Sequence, residues 1–574
     1  MKTILSFLKP YKLPIIIAYS LTFIELITDL LFPIFLGIII NEGILTNNPE
    51  NLIMWGSIML GITIFTFVAG IINSYFSSHV SISFAYDIRE KLFKKIQNFT
   101  FEKLTLYPTS TLVTRFTNDV RQIQNTIFMS LRIMVRAPLL VIGSVIMALI
   151  VNVKISLIFL IIVPLLVAFL YCVLIKGSHM FNKVQESVDY VNRIIQENIA
   201  GMRIIKAFVR RDFENARFKK SNEQLAKETK DTFRFVEASM PILLFIMNIS
   251  LIFILWLGNK QTIAGTTNVG DVVAIVNYAL RTVMAISMFT FIALAFSRAK
   301  ASAERLEQIL LEDTASDTIK EYGQKVLHGK IQFKDVSFTY PGESVPVIEN
   351  ISFSIHPGER LAVIGATGSG KTTLFQLIPK LYEPQKGQIF IDDYPLSDYH
   401  IEELRNSIGY VPQSPLLFTG TIAENIKFGK EDATDAEVMQ AAIDAQIHET
   451  IEGFPEKYET NVGQRGVNLS GGQKQRISIA RALIRKPKIL MFDDSTSALD
   501  LTTESYLLDA LHKYDCSTLM ITQKISTAKQ SDRILLIDEG KILAIGMHDE
   551  LLKTSDLYQK IVESQFEKEL PYVQ

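Results

Sequence analysis

Along the chain, the apolar residues of the first 300 positions gather into six long runs, and those of the last 260 do not. The runs lie at 13–41, 52–76, 133–152, 155–175, 238–258 and 272–297. Each supplies about the twenty residues an α-helix needs to cross roughly 30 Å of hydrocarbon at about 1.5 Å per residue. Runs four and five contain no charged side chain, and six membrane-spanning helices are predicted. Lys2, Lys9 and Lys12 ahead of the first run imitate a secretory leader, but the run is too long for one and lacks a small-residue cleavage site. It reads as a span.

The loops set the orientation. Residues 41–51 carry no Lys or Arg, and 259–271 carry only Lys260. Arg89, Lys91, Lys94, Lys95, Lys103, Arg115 and Arg121 lie between spans two and three, and Lys183, Arg193, Arg203, Lys206, Arg210 and Arg211 between spans four and five. Positive charge stays inside, so the N-terminus, both basic connections and everything after span six are expected in the cytoplasm. The basic connections keep a helical pattern with few breakers, so the helices should project well beyond the bilayer.

From about Glu312 the pattern changes to a polar connector, and beyond Lys330 short β-rich runs alternate with helical ones. The expected division is a membrane domain over 1–315, a linker over 316–330 and an α/β domain over 331–574. In the last, the apolar strand Leu361 to Ile364 runs into Gly365-Ala366-Thr367-Gly368-Ser369-Gly370-Lys371-Thr372-Thr373 and then into a helix. This is a phosphate-binding loop. Its glycines free backbone N–H groups to wrap a phosphate, Lys371 supplies a point charge, and Thr372 offers a hydroxyl to Mg²⁺. The apolar strand Ile489 to Asp493 ends in the carboxylate such a fold needs for Mg²⁺.

Composition adds mainly exclusions. Lys and Arg sum to 58 against 59 Asp and Glu, so no global basic field suggests nucleic acid. The two cysteines, Cys172 and Cys516, imply no disulfide framework. Hydrophobic residues at 48% beside 20% charged require the segregation into oily and wet parts already read from the pattern.

Leu469-Ser470-Gly471-Gly472-Gln473 opens a helix between the two nucleotide motifs and matches the ABC transporter signature. The whole chain resembles an ABC exporter half-transporter: a six-helix membrane α-helical domain fused to an α/β P-loop nucleotide-binding domain. The resemblance implies ATP and Mg²⁺ as cofactors, and a bacterial plasma membrane location. It assigns adenine stacking to Tyr340 and the Mg²⁺ corner to Thr372, Gln413 and Asp493. Ser470, Gly471, Gly472 and Gln473 would face ATP held by a partner chain, and Asp500 would lie in the D-loop that crosses the dimer interface. The stretches Pro108 to Arg115 and Gly201 to Arg211 would be coupling helices.

Two departures bear on catalysis. The family's catalytic Glu after the Walker B Asp is here Asp494, one methylene short, and the family's switch His is Gln523, which carries no charge and shuttles no proton. A displacement on the order of 1 Å from attack geometry costs about a hundredfold in rate. Gln464 also stands where exporters commonly have Glu. The pattern resembles heterodimeric bacterial multidrug exporters. It implies that this chain's Walker motifs hold ATP in a slow site while its signature completes the active site of a second half-transporter. Small hydrophobic compounds are the expected substrates. The alternatives are a homodimeric lipid or peptide exporter, or an ATP-gated regulatory or channel-like protein.

Glu25 and Asp29 share one face of span one at i and i+4. Such carboxylates face a bundle interior or a wet cavity. Either they form a structural pair satisfied by Arg132, Arg136 or Arg281, or they line a cavity for lipophilic cations. A stripe of Met284, Met288, Phe289 and Phe291 in span six is either helix packing or a greasy cavity wall.

Overall fold

The computed structural model describes residues 2–312 and 327–566. The chain divides into two compact units: Met1–Asn98 with Tyr107–Thr314, and Phe99–Leu106 with Ala315–Gln574. The expected linker lies outside the described residues except for 327–330.

The first unit holds six helices long and apolar enough to cross a membrane: Lys9–Ile44, Pro49–Gln97, Thr109–Val151, Val153–Ala200, Arg211–Ile263 and Val269–Leu311. Each contains one of the six apolar runs, except that Asn152, the last residue of the third run, falls in the break between two helices. Helices of 43 to 53 residues, as the last five are, span about 65–80 Å, more than twice a bilayer core. Their starts are encoded locally. The Asn48 side chain accepts from the Glu50 and Asn51 amides with Pro49 in the first turn, Asn152 accepts from the Ile155 amide, and Asn268 with Asp271 forms a capping box. Pro33, Pro164 and Pro241 sit inside these helices. The unit packs around Ile155, Phe159, Leu166, Leu243, Ile275 and Tyr278. In the span-six stripe, Met284, Met288 and Phe291 are exposed, while Phe289 packs against that core.

The second unit is built on a six-stranded sheet ordered Lys541–Gly546, Arg533–Asp538, Arg360–Ile364, Ser517–Ile521, Ile489–Asp493, Ile408–Val411. All neighbours are parallel except the edge strand Lys541–Gly546. Ile489–Asp493 is buried at every position, as a strand covered on both faces must be, which is why it reads as an unbroken apolar run. A second, antiparallel sheet contributes Ile331–Phe338 and Ile348–Ile355, joined by the stacked rings of Phe333 and Phe353 at 4.7 Å. The register pairs Ile521 with both Val363 and Asp493, so three central strands end side by side. Ligands of open α/β sheets bind at such carboxyl ends.

The short helix Phe101–Leu106 belongs to this second unit, where the Phe101 ring stands edge-on to Tyr382 at 5.5 Å. The stretch near Pro108 to Arg115, which the resemblance assigned to a coupling helix, forms the helix Thr109–Thr114 in the first unit. The other stretch forms the helix Met202–Ala207 in the first unit, with Ile204, Phe208 and Val209 strongly exposed.

Candidate nucleotide site

The loop after Arg360–Ile364 is a tight cradle. A Cβ on Gly365 would lie 2.0 Å from the Ile537 carbonyl oxygen, and Gly368 and Gly370 sit at φ +85° and +96°, which favours glycine at both. Lys371 begins the helix Lys371–Leu377 and folds its Nζ back onto the carbonyls of Gly365 (3.0 Å) and Ala366 (2.6 Å) and the Ser369 Oγ (3.4 Å). Burial pulls the Lys371 pKa below the usual ammonium range, and Asp494 and Asp493 oppose that shift. Ser369 is buried, whereas Thr367 and Gly368 are exposed at the rim.

The Thr372 hydroxyl donates to Asp493 Oδ1 at 3.0 Å, so the two oxygen groups expected to share a magnesium ion already meet. The hard oxygen donors of Thr372 and Asp493 fit Mg²⁺, and the glycine cradle fits a phosphate chain. Burial raises the Asp493 pKa, while hydrogen bonds from Thr372 and Tyr410 work against that. Tyr410, whose hydroxyl donates to Asp493 Oδ2 at 3.0 Å, escaped the sequence reading. Its only signal was a tyrosine two positions before Pro412-Gln413. Removing that hydroxyl leaves a buried carboxylate oxygen short of a donor, at a cost of about 1–3 kcal/mol. Tyr410→Phe is therefore expected to lower the unfolding midpoint of the full-length protein by a few degrees in scanning calorimetry. An unchanged midpoint would remove Tyr410 from the site's framework.

Asp494 follows in the left-handed region at φ 46°, with its amide donating to the Ile521 carbonyl at 3.1 Å. Gln413 and Gln523 both donate to its Oδ2, each at 3.4 Å. The three positions assigned to catalysis thus converge from three strand ends. Burial raises the Asp494 pKa, with the Gln413 hydrogen bond opposing. Among the described residues, neither a histidine nor a glutamate is bonded to Asp494.

Tyr340 stands edge-on to Phe338 and Tyr382 at 5.0 and 5.3 Å. Its hydroxyl is shared with Thr373 Oγ1 at 2.9 Å and donates to Gln376 at 3.2 Å. Thr373 is buried, so its hydroxyl faces Tyr340 rather than open space.

The signature is a helix cap. Ser470 Oγ accepts from the Gln473 amide (3.3 Å) and the Gln473 side chain accepts from the Ser470 amide (2.8 Å), starting Gly471–Leu483. Gln473, grouped by sequence with the residues facing a partner's ATP, is thus used to hold Ser470. A Cβ on Gly471 would meet nothing within 4 Å, and one on Gly472 would touch the Ala498 carbonyl at 3.3 Å. Asp500 caps Leu501–Leu511 through the Thr503 amide, and bonds from Thr502 and Thr503 hold its carboxyl well below the usual range. Lys524 ties this region together. It donates to the carbonyls of Thr496 and Leu499 at 3.3 and 3.2 Å and to buried Glu504 at 2.6 Å, clipping the loop before Asp500 to the residue after Gln523.

In the first unit, Glu25 and Asp29 line an open pocket with Arg132 and Arg281. Arg136 donates to Glu25 at 2.7 Å and also to Asp29, Arg281 donates to Asp29 at 3.0 Å, and Asn73 donates to Glu25 at 3.1 Å.

Two family models account for most of the chain: ABC transporter transmembrane region over residues 15–286 and ABC transporter over 348–497. An uncharacterized ABC transporter ATP-binding protein of Bacillus subtilis, YfiB, is 51% identical over 99% of both chains. An ATP-dependent lipid A-core flippase of Chromobacterium violaceum is 30% identical, covering 92% of this chain and 91% of its own. The solved structure of a bacterial Atm1-family ABC exporter with ATP bound has a TM-score of 0.80 at 21% identity, covering 98% of this chain and 99% of that one, a likeness of fold. The chain belongs to the ABC transporter family, with the exporter-type arrangement of a six-helix membrane domain fused to an ATP-binding domain.

Proposed function

We propose that this chain is one half of an ATP-driven exporter of apolar compounds, that it pairs with a different half-transporter, and that its own ATP site turns over slowly. The observation that carries the reading is the Asp494 carboxylate, one methylene short of Glu and held between two amides, Gln413 and Gln523, with no charged switch residue. Such a centre fits Mg²⁺ and ATP through Thr372, Asp493 and the glycine cradle. What it lacks is a base long enough to reach an attacking water. The signature is unaltered, and its capped Ser470 and open Gly471 suit presentation to a phosphate on another subunit. Two copies of this chain would give each intact signature a weak catalytic centre. A partner with Glu and His at the two altered positions would supply one competent site.

On this reading ATP binding closes the two ATP-binding domains and hydrolysis at the competent site resets them, while the slow site stays loaded and biases the equilibrium toward closure. The location that goes with it is a bacterial plasma membrane, with the N-terminus and ATP-binding domain cytoplasmic.

The test is ATP turnover of the full-length chain, purified alone in lipid, beside Asp494→Glu plus Gln523→His. Near-zero turnover in the parent with recovery of about a hundredfold in the double variant is expected. Brisk hydrolysis by the parent would overturn the slow-site reading in favour of a homodimer.

A further inference from the structure

The pocket beside Glu25 and Asp29 has an open volume of about 630 Å³, and its wall includes Phe32, Phe67 and Ile71 as well as the charged groups. Three guanidiniums, those of Arg132, Arg136 and Arg281, surround two carboxylates, which leaves one positive charge. The surplus is localised. Arg136 bridges both carboxylates, and Arg281 takes the second oxygen of Asp29. Arg132 donates to the Ser74 hydroxyl at 2.5 Å and, among the described residues, pairs with no carboxylate.

We propose that this pocket binds amphiphiles with an anionic headgroup, with Arg132 taking the headgroup and the aromatic and aliphatic wall taking the chain. The proposal rests on the export reading for its role and names the substrate class of that exporter. An uncompensated cation beside hydrocarbon is costly, so an anion that neutralises it gains more here than in water. A guanidinium also offers the planar fork that phosphate and carboxylate oxygens accept from. A cationic headgroup finds both carboxylates already neutralised and meets Arg132 as a like charge. The sequence left two readings of Glu25 and Asp29, a structural pair satisfied by arginines or part of a greasy cavity for lipophilic cations. Counting the arginines that fold against them reverses the sign.

The test uses the full-length protein, in the assembly in which it leaves the membrane, placed in nanodiscs of neutral lipid. Three fluorescent probes share one alkyl chain and end in phosphate, carboxylate or trimethylammonium, and their binding is followed by anisotropy without ATP. The anionic probes are expected to bind saturably and about tenfold or more tighter than the cation. Arg132→Gln should erase that preference, and Arg132→Lys should keep part of it. Preference for phosphate over carboxylate would support the site with a phospholipid as the source, and equal binding of the two would support it with soluble carboxylates included. A cation bound as tightly as the anions, or a preference untouched by Arg132→Gln, would overturn the proposal. If Arg132→Gln fails to fold, the ranking of the probes on the parent still decides. Selective anion binding with no ATP-dependent movement of the probe would sink the export reading and leave the site standing. Movement of the cationic probe without anion selectivity would do the reverse.

Discussion

If this chain pairs with a different half-transporter as proposed, Gly471→Glu in this chain is expected to cost about a hundredfold or more in ATP turnover of the complex, while Lys371→Ala in the same chain leaves it within severalfold. The first figure is the scale seen when one preorganised group facing a developing anion is lost. On the proposed pairing, a carboxylate at position 471 would face the phosphate of the ATP held by the other chain. The substitution tests function rather than folding, because a Cβ on Gly471 meets nothing within 4 Å and an acidic residue in the first helical turn suits the helix dipole. Lys371 bonds the Gly365 and Ala366 carbonyls of this chain's own loop, beside the short Asp494. If that site contributes little turnover, losing its lysine costs little. Equal and severe losses from both variants, measured as steady-state phosphate release, would mean that the two ATP sites are equivalent.

The parts legible in the sequence are those fixed by local spacing. Span length, the glycine spacing from Gly365 to Gly370 and the apolar run ending at Asp493 each encode their structure within about twenty residues. What escaped depends on groups brought together from far along the chain. Tyr410 reaches Asp493 across 83 residues, and Lys524 reaches carbonyls 25 and 28 residues away, with no motif to announce either. Gln473 was assigned by pattern to a partner's nucleotide, but its spacing from Ser470 is also that of a capping box, and its side chain holds Ser470. Burial then raises the pKa of Asp493 and Asp494 and lowers that of Lys371. Such directions come from packing and cannot be read from residue type.

The two readings of Glu25 and Asp29 are separated by Arg136→Gln. Glu25 is 5% exposed, and its charged partner is Arg136, 111 residues away, with Asn73 holding the other oxygen. Removing the guanidinium strands a carboxylate in a medium that solvates it poorly. Breaking a buried pair costs about 3–5 kcal/mol, and discounting for the one-third exposure of Arg136 leaves roughly 2–4 kcal/mol. Asp29 fares better because Arg281 stays on its other oxygen. Arg136→Gln is therefore expected to lose thermal stability sharply, read as the temperature at which the solubilised protein stops being monodisperse. Adding Glu25→Gln should restore most of the loss, since the neutral amide removes the stranded charge and its carbonyl still accepts from Asn73. Asp29→Asn should restore less. That ranking follows only if the pair is structural. Should Arg136→Gln instead keep its stability and change only which compounds bind, the carboxylates belong to the cavity's recognition surface and Arg136 is their gate.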